Sequence, residues 1–471
     1  MKIEYESPAY GPRGEKLIHR DKKVMFGAHT RTREIPLVVE NAEGVMIRDV
    51  DGRDFLDFGA GYAVCATGHC HPEVIKVVES QIRRLMHISG SDFYYEPQVE
   101  LAERLVQITP GHFDKKVYFC STGVECLEAS VKICRHYTGR HGLVSFLGAF
   151  HGRTYAGMSL SGSKKVQRAH FSPLIPGVIH TFYPYCYRCP LNLTYPQCRL
   201  GPRFDSIPML PCVAYLTDVI FEQLVDPDEV AALIVETILG EGGYVVPPPE
   251  FHPLLRAITK MHGIIYVVDE IQAGLGRTGK MFAVEHWKAE PDVICIAKAI
   301  ASGIPLGAVV ARAELMDEDV NPKAWRRGSH GSTFGGNPVA CAAGLKTLDL
   351  IQGGLVDNAR EVGGWIIQEL NRFMDSHRIV GDVRGKGLMI GVEIVKDKET
   401  KERLPNELTK EGKNIKEVVM GSCFKKGLIV LGCGKNSIRF SPPLVLTLED
   451  AGRGLSLFES VLEDVEKQLQ M

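Results

Sequence analysis

Short, mostly apolar runs recur along this chain, and each is followed by glycines, charges or hydroxyls. Val117-Tyr118-Phe119, Leu143–Phe146, Ala231–Val235, Gly263–Val268 and Val293–Ala297 are of strand length. A run without polar alternation reads as a strand buried on both faces. Between these runs lie stretches of helical spacing, Glu73–Met86, Val99–Ile108 and Glu125–Tyr137. The alternation predicts an α/β fold with a mostly parallel sheet. In such sheets ligands bind outside the carboxyl ends of the strands. The residues that follow each apolar run are therefore the ones to inspect.

Three parts are expected. Residues 1–71 form an N-terminal segment with a small antiparallel meander, in which Asp51-Gly52 marks a tight hairpin before Phe55–Phe58. Residues 72–340 form the large domain. Residues 341–471 form a smaller α+β C-terminal domain with strand-like Leu388–Ile394 and Leu428–Leu431. It ends in a helix capped by Thr447 and Asp450, with Leu455, Phe458, Leu462 and Val465 on one face. Residues 182–212, rich in Tyr, Pro and Cys, read as an irregular insertion.

The 55 basic and 57 acidic residues nearly cancel. That gives no electrostatic reason for a nucleic acid or an anionic membrane as partner. No apolar run suggests a membrane span. The opening MKIEYESPAYGPRGEK lacks a signal-peptide core. A cytoplasmic protein is expected. Of 13 cysteines, Cys186, Cys189, Cys198 and Cys212 stand apart at C-x2-C-x8-C-x13-C. This spacing permits zinc; disulfides and unlinked thiols are the alternatives, and no metal ligand is assigned.

Five turns carry candidate chemistry. Ser121-Thr122-Gly123-Val124 opens a helix, where exposed amides favour phosphate. Gly148-Ala149-Phe150-His151-Gly152-Arg153-Thr154 places an aromatic ring where it can stack on a flat heterocycle. Asp269-Glu270-Ile271-Gln272 ends an apolar strand with a carboxylate that needs a partner, such as a pyridinium nitrogen. Lys298 follows another apolar strand, where lost solvation favours the neutral amine, the form that attacks a carbonyl. His330–Pro338 is a glycine-rich turn with hydroxyls suited to phosphate. Two matches are discounted. Gly274–Gly279 has the letters of G-x-G-x-x-G but not the strand-to-helix turn of a dinucleotide site. His69-Cys70-His71 reads as a turn before the helix at Pro72.

Together these motifs resemble class III aminotransferases, of the fold-type-I group that uses pyridoxal 5'-phosphate, over about residues 35–455. The resemblance implies Lys298 and Asp269 as catalytic residues. Gly123 and Val124 would hold the phosphate, Phe150 and Ile271 the two ring faces, Asp269 the ring nitrogen and Gln272 the phenolic oxygen. Thr333 would reach the phosphate of a neighbouring subunit, in a homodimer or dimer of dimers with shared sites. Glu236 and Glu241 match a family motif in which Thr237 here replaces proline. Arg439 resembles the arginine that binds an α-carboxylate, and Glu241 its switch partner. Tyr62 stands where ornithine aminotransferases carry tyrosine. Asp92 reads as a pocket residue or, more simply, as a solvated loop aspartate. The implied activity moves an amino group from an ω-amino acid or diamino acid, such as 4-aminobutyrate or ornithine, to 2-oxoglutarate. The rival is an amino-acid racemase or epimerase using the same residues.

Overall fold

The computed structural model describes residues 2–28 and 34–470. The chain folds as two compact units, Pro72–Val356 and Met1–His71 together with Asp357–Met471.

The large unit is built on a seven-stranded sheet. Its order is Lys115–Cys120, Gly307–Arg312, Val293–Ile296, Ile265–Asp269, Val230–Glu236, Gly142–Phe146, Val178–Thr181. All neighbours are parallel except Gly307–Arg312, which runs against both of its neighbours. The central strands are Val, Ile and Ala runs because both faces are covered. Helix Gly123–Thr138 packs Leu127, Val131 and Cys134 into one core with Val267, Val293 and Val309 of the sheet. The helix stops where Gly139 turns left-handed at φ 68°.

Two strands of this sheet were not anticipated. Val178–Thr181 lies at the sheet edge and is only half-buried along most of its length, so its apolar signal is short. Gly307–Arg312 opens with a glycine and an alanine directly after a glycine-rich turn, which hides its start.

Helix Pro338–Leu350 packs on helices Pro72–Arg84 and Glu96–Ile108 and so belongs to the large unit. The unit boundary falls after Val356, not at 340. It follows the π-helical turn Ile351–Leu355, in which Gly354 sits at φ 138°. The helical stretch Pro338–Ser376 is long and apolar enough to cross a membrane by length and composition, which the run-by-run reading did not anticipate. That turn interrupts it, and its Val339, Leu348 and Ile351 are buried within the fold.

In the small unit the meander Val39–Glu43, Met46–Asp49, Asp54–Asp57 gains a fourth strand from the far end of the chain, because Leu428–Ile429 pairs parallel with Leu56 and Asp57. This pairing joins the first 71 residues to the C-terminal part. A second, antiparallel sheet has the order Val380–Lys386, Met389–Ile394, Ser437–Phe440, Leu431–Cys433. The last helix, Leu448–Leu469, starts at Thr447, whose hydroxyl accepts from Asp450 N at 3.0 Å. Its buried face holds Leu455, Phe458, Leu462 and Val465 as expected. Helix Pro12–Val24 was not anticipated; its sequence is too polar to show an apolar face.

After Asp57 the backbone makes a left-handed turn, with φ of 46° at Ala60, 61° at Gly61, 67° at Tyr62 and 62° at Ala63. Each non-glycine residue there costs about 1–2 kcal/mol. Asp57 offsets part of this. Its Oδ1 accepts from the amides of Gly59 at 2.7 Å and Ala60 at 3.1 Å, and its Oδ2 meets His69 Nε2 at 2.8 Å. Burial disfavours a charged His69, but the hydrogen bond to Asp57 and the nearby Cys65 outweigh it and push its pKa up to about 10. A histidine raised in the folded state adds stability that is complete below the unfolded value of 6.5 and fades as pH rises through about 10. Urea unfolding of the wild type and His69→Gln is therefore expected to show a stability gap that is widest near pH 6 and closes by about pH 10. A gap independent of pH would mean that the pair contributes no charge interaction.

Candidate active site

Strand register builds the centre of the site. Asp269 lies level with Glu236 on one neighbouring strand and with Cys295 on the other. Lys298 follows Cys295 by one short step and opens the 3-10 turn Lys298–Ala301 with φ at 45°. A lysine with positive φ is uncommon, and such residues cluster at functional sites.

Asp269 is buried at the end of its apolar strand. Its Oδ1 accepts from the Ile271 amide at 3.0 Å, and its Oδ2 lies 2.8 Å from His151 Nδ1. His151 is itself buried. Burial works against its charged form, but the hydrogen bond and charge of Asp269 prevail and raise its pKa above the ordinary histidine value. Glu236 holds the turn that carries Phe150. Its Oε1 accepts from Phe150 N and its Oε2 from Gly240 N, both at 2.6 Å. Burial pushes the Glu236 carboxyl up to about 7, against the pull of His151. Phe150 is half-buried at the strand end, with the Arg153 guanidinium 5.3 Å from its ring centre.

The helix that begins at Gly123 faces this centre. Thr122 and Glu125 form a capping box in which Glu125 Oε2 accepts from Ser121 N at 2.8 Å and Thr122 N at 2.7 Å. The amides of Gly123 and Val124 belong to the first turn and have no intrahelical acceptor. A Cβ on Gly123 would come within 2.9 Å of Ile271 Cδ1, so Ile271 requires a glycine at that point. Val124 in turn rests on Gly152, where a Cβ would come within 2.1 Å of Val124 Cγ2. The helix start, the aromatic turn and the aspartate segment are thus fitted to one another. Gln272 packs beside Gly240, where a Cβ would come within 2.8 Å of its Oε1.

Two buried atoms of this cradle, His151 Nε2 and Gln272 Oε1, have no hydrogen-bond partner among the described residues. A buried polar atom without a partner costs about 1–3 kcal/mol. The cradle thus combines a buried carboxylate, a lysine, a helix N-terminus, an aromatic ring and unspent polar atoms. It suits a flat heterocycle that bears an anion.

The other expected residues have these contacts. Glu241 is half-buried, and its Oε2 pairs with Lys164 Nζ at 2.8 Å. Thr333 is exposed on the turn before helix Pro338–Leu350. Asp92 is exposed and accepts from Ser89 Oγ at 2.6 Å, as a solvated loop aspartate would. Tyr62 and Arg439 belong to the small unit, where the buried Arg439 guanidinium lies 4.8 Å from the Tyr62 ring centre.

Three features escaped the sequence reading. His151, by type a base, a metal ligand or more simply a structural residue, is the partner of Asp269. Lys164 carried no motif. Thr237, in place of proline, donates its hydroxyl to Glu270 Oε1 at 2.6 Å, and Glu270 also accepts from the amides of Ala283 and Val284. The glycines around His151 were the available signal, because they mark a turn pressed against its neighbours. The discounted motifs fold as expected. Residues 274–279 continue as turns with no helix, and His69 pairs with Asp57 just before the helix at Pro72.

The sequence profile described as Aminotransferase class-III matches residues 28–462. The chain is 38% identical to an alanine/serine racemase of Pyrococcus horikoshii, over 96% of this chain and 91% of that one. It is 36% identical to the 4-aminobutyrate aminotransferase of Escherichia coli, over 92% and 95%. Among solved structures, a thermostable (S)-enantioselective omega-transaminase from Thermomicrobium roseum superposes with a TM-score of 0.84 at 31% identity, covering 98% of this chain and 99% of that one. The fold is that of the fold-type-I pyridoxal-phosphate transaminases, and the chain belongs to the class III aminotransferases, enzymes that depend on pyridoxal 5'-phosphate.

Proposed function

We propose that this enzyme moves an amino group from an ω-amino acid or a diamino acid to 2-oxoglutarate, with Lys298 and Asp269 as its catalytic residues. The observation that carries the assignment is the register that sets the buried, doubly hydrogen-bonded Asp269 beside the strand delivering Lys298. Pyridoxal phosphate, when bound, supplies an electron-poor ring that stabilises negative charge on the substrate carbon. Asp269, held by His151 and the Ile271 amide, keeps a proton on the ring nitrogen. Phe150 and Ile271 would hold the two ring faces, and Gln272 would bind the phenolic oxygen. The amides of Gly123 and Val124 bind the phosphate, joined by Thr333 from a second copy of the chain in a homodimer. Lys298 would hold the cofactor at rest, and its freed amine would be the group that takes the proton from the substrate carbon and gives it back.

Arg439 is assigned to the α-carboxylate of the keto acid, with Tyr62 against its guanidinium. Glu241 is the acidic group that would balance Arg439 when the donor has no α-carboxylate. We place the enzyme in the cytoplasm. A second reading, racemisation of an amino acid, is supported by the relative named an alanine/serine racemase. In that case the proton returns to the opposite face of the same carbon.

Three outcomes are expected. Lys298→Ala loses at least about 10³-fold in turnover, in line with a group that transfers the proton, and it loses the visible absorbance of lysine-bound cofactor. Retention of both would remove Lys298 from the mechanism. His151→Ala weakens cofactor affinity about 10- to 100-fold, the value of a hydrogen bond to a charged group, and His151→Asn recovers part of it. Equal affinity in all three proteins would leave His151 without a positioning role. A donor screen with 2-oxoglutarate yields glutamate from 4-aminobutyrate or ornithine. Formation of a D-amino acid from its L-isomer without keto acid, and no glutamate, would establish racemisation instead.

A further inference from the structure

The segment 182–212 has little regular structure of its own: the 3-10 turn Cys186–Arg188 and a short ribbon of Pro202–Phe204 with Ile207–Pro208. Side chains tie it to the rest of the large unit. Tyr183 donates its hydroxyl to the carbonyls of Glu236 at 3.3 Å and Thr237 at 2.9 Å, and Arg199 Nε lies 2.9 Å from Glu250 Oε1. Small pieces of chain with little regular structure are commonly stapled by disulfides or a metal.

Cys186, Cys189, Cys198 and Cys212 all line one cavity of about 20 Å³, which Tyr195 and Pro248 help to enclose. Cys212 lies within electrostatic reach of the other three. All four are free thiols. A space of this size admits about one water or one small ion. A water there needs two to four good polar partners, and sulfur is a weak one. A soft divalent cation suits four thiols better. The C-x2-C pair on a tight turn is the usual first half of such a site.

We propose that Cys186, Cys189, Cys198 and Cys212 bind one zinc ion as thiolates, and that this ion pins the insertion to the strand end at Glu236. Among the described residues no three His, Cys, Asp or Glu side chains already surround a common metal position. Binding therefore requires the four sulfurs to converge on the ion, at zinc–sulfur distances of about 2.3 Å. Four thiol protons leave as the ion enters, and no oxidant or reductant takes part. The link from Tyr183 to the Glu236 carbonyl then carries the order of the insertion to the strand end beside Asp269.

The test is elemental analysis of the full-length holoenzyme, purified without chelator from zinc-supplemented cells. About one zinc per chain is expected, with release to a chromophoric chelator only after the thiols are modified. Protein produced with cobalt should show the visible bands of tetrahedral thiolate coordination. The double variant Cys186→Ser/Cys189→Ser should lose the metal, while Cys70→Ser, outside the segment, keeps it. If the double variant does not fold, Cys198→Ser should release zinc faster than the wild type. Metal-free wild type, zinc retained by the folded double variant, iron with sulfide in place of zinc, unchanged release from Cys198→Ser, or disulfides among the four cysteines by mass spectrometry would each overturn the proposal.

Discussion

A carboxylate at the end of an apolar strand must be satisfied before the strands around it can close. Asp269 is that carboxylate. A buried and unpaired charge would shift its pKa or unfold its surroundings. Here His151 and the Ile271 amide hold one oxygen each. The consequences spread outward. His151 arrives on the turn of Phe150, that turn is fixed by Glu236, and Glu236 is one strand away from Asp269. The charge that serves the cofactor therefore also fixes the loop carrying the aromatic ring. Replacing any one of these groups disturbs its neighbours as well, so the cluster behaves as a network and not as separate contacts.

Steric fit completes what the charges begin. Gly123 is small because Ile271 needs the space, and Gly152 is small because Val124 does. These two contacts tie together a helix start, a strand end and a loop that are far apart in sequence. Neither glycine binds anything through a side chain. Each sets how closely two pieces of backbone approach.

The buried strands were legible because fully apolar runs have few other uses. Asp269, Lys298 and the helix start at Gly123 were legible because each follows such a run directly. What stayed hidden depends on distance along the chain. The His151–Asp269 hydrogen bond spans 118 residues, and the Lys164–Glu241 pair spans 77. No local pattern announces either one. Val178–Thr181 escaped because an edge strand is half-buried and mixes His and Thr with its apolar residues. Helix Pro12–Val24 escaped because it buries almost nothing but Gly14. The meander was read correctly as antiparallel and Leu428–Leu431 as strand-like, but nothing local shows that Leu428–Ile429 pairs with the meander as its fourth strand.

That late strand bears on how the protein is made. The large unit is one unbroken stretch, so it can fold once residue 356 has left the ribosome. The small unit cannot. Its first sheet stays a three-stranded fragment with an open edge until Leu428 and Ile429 have been synthesised. Exposed strand edges are sites of mispairing. The opening residues of the chain must therefore wait for nearly all of the rest, and a ribosome that stalls late releases a finished large unit attached to an unprotected edge.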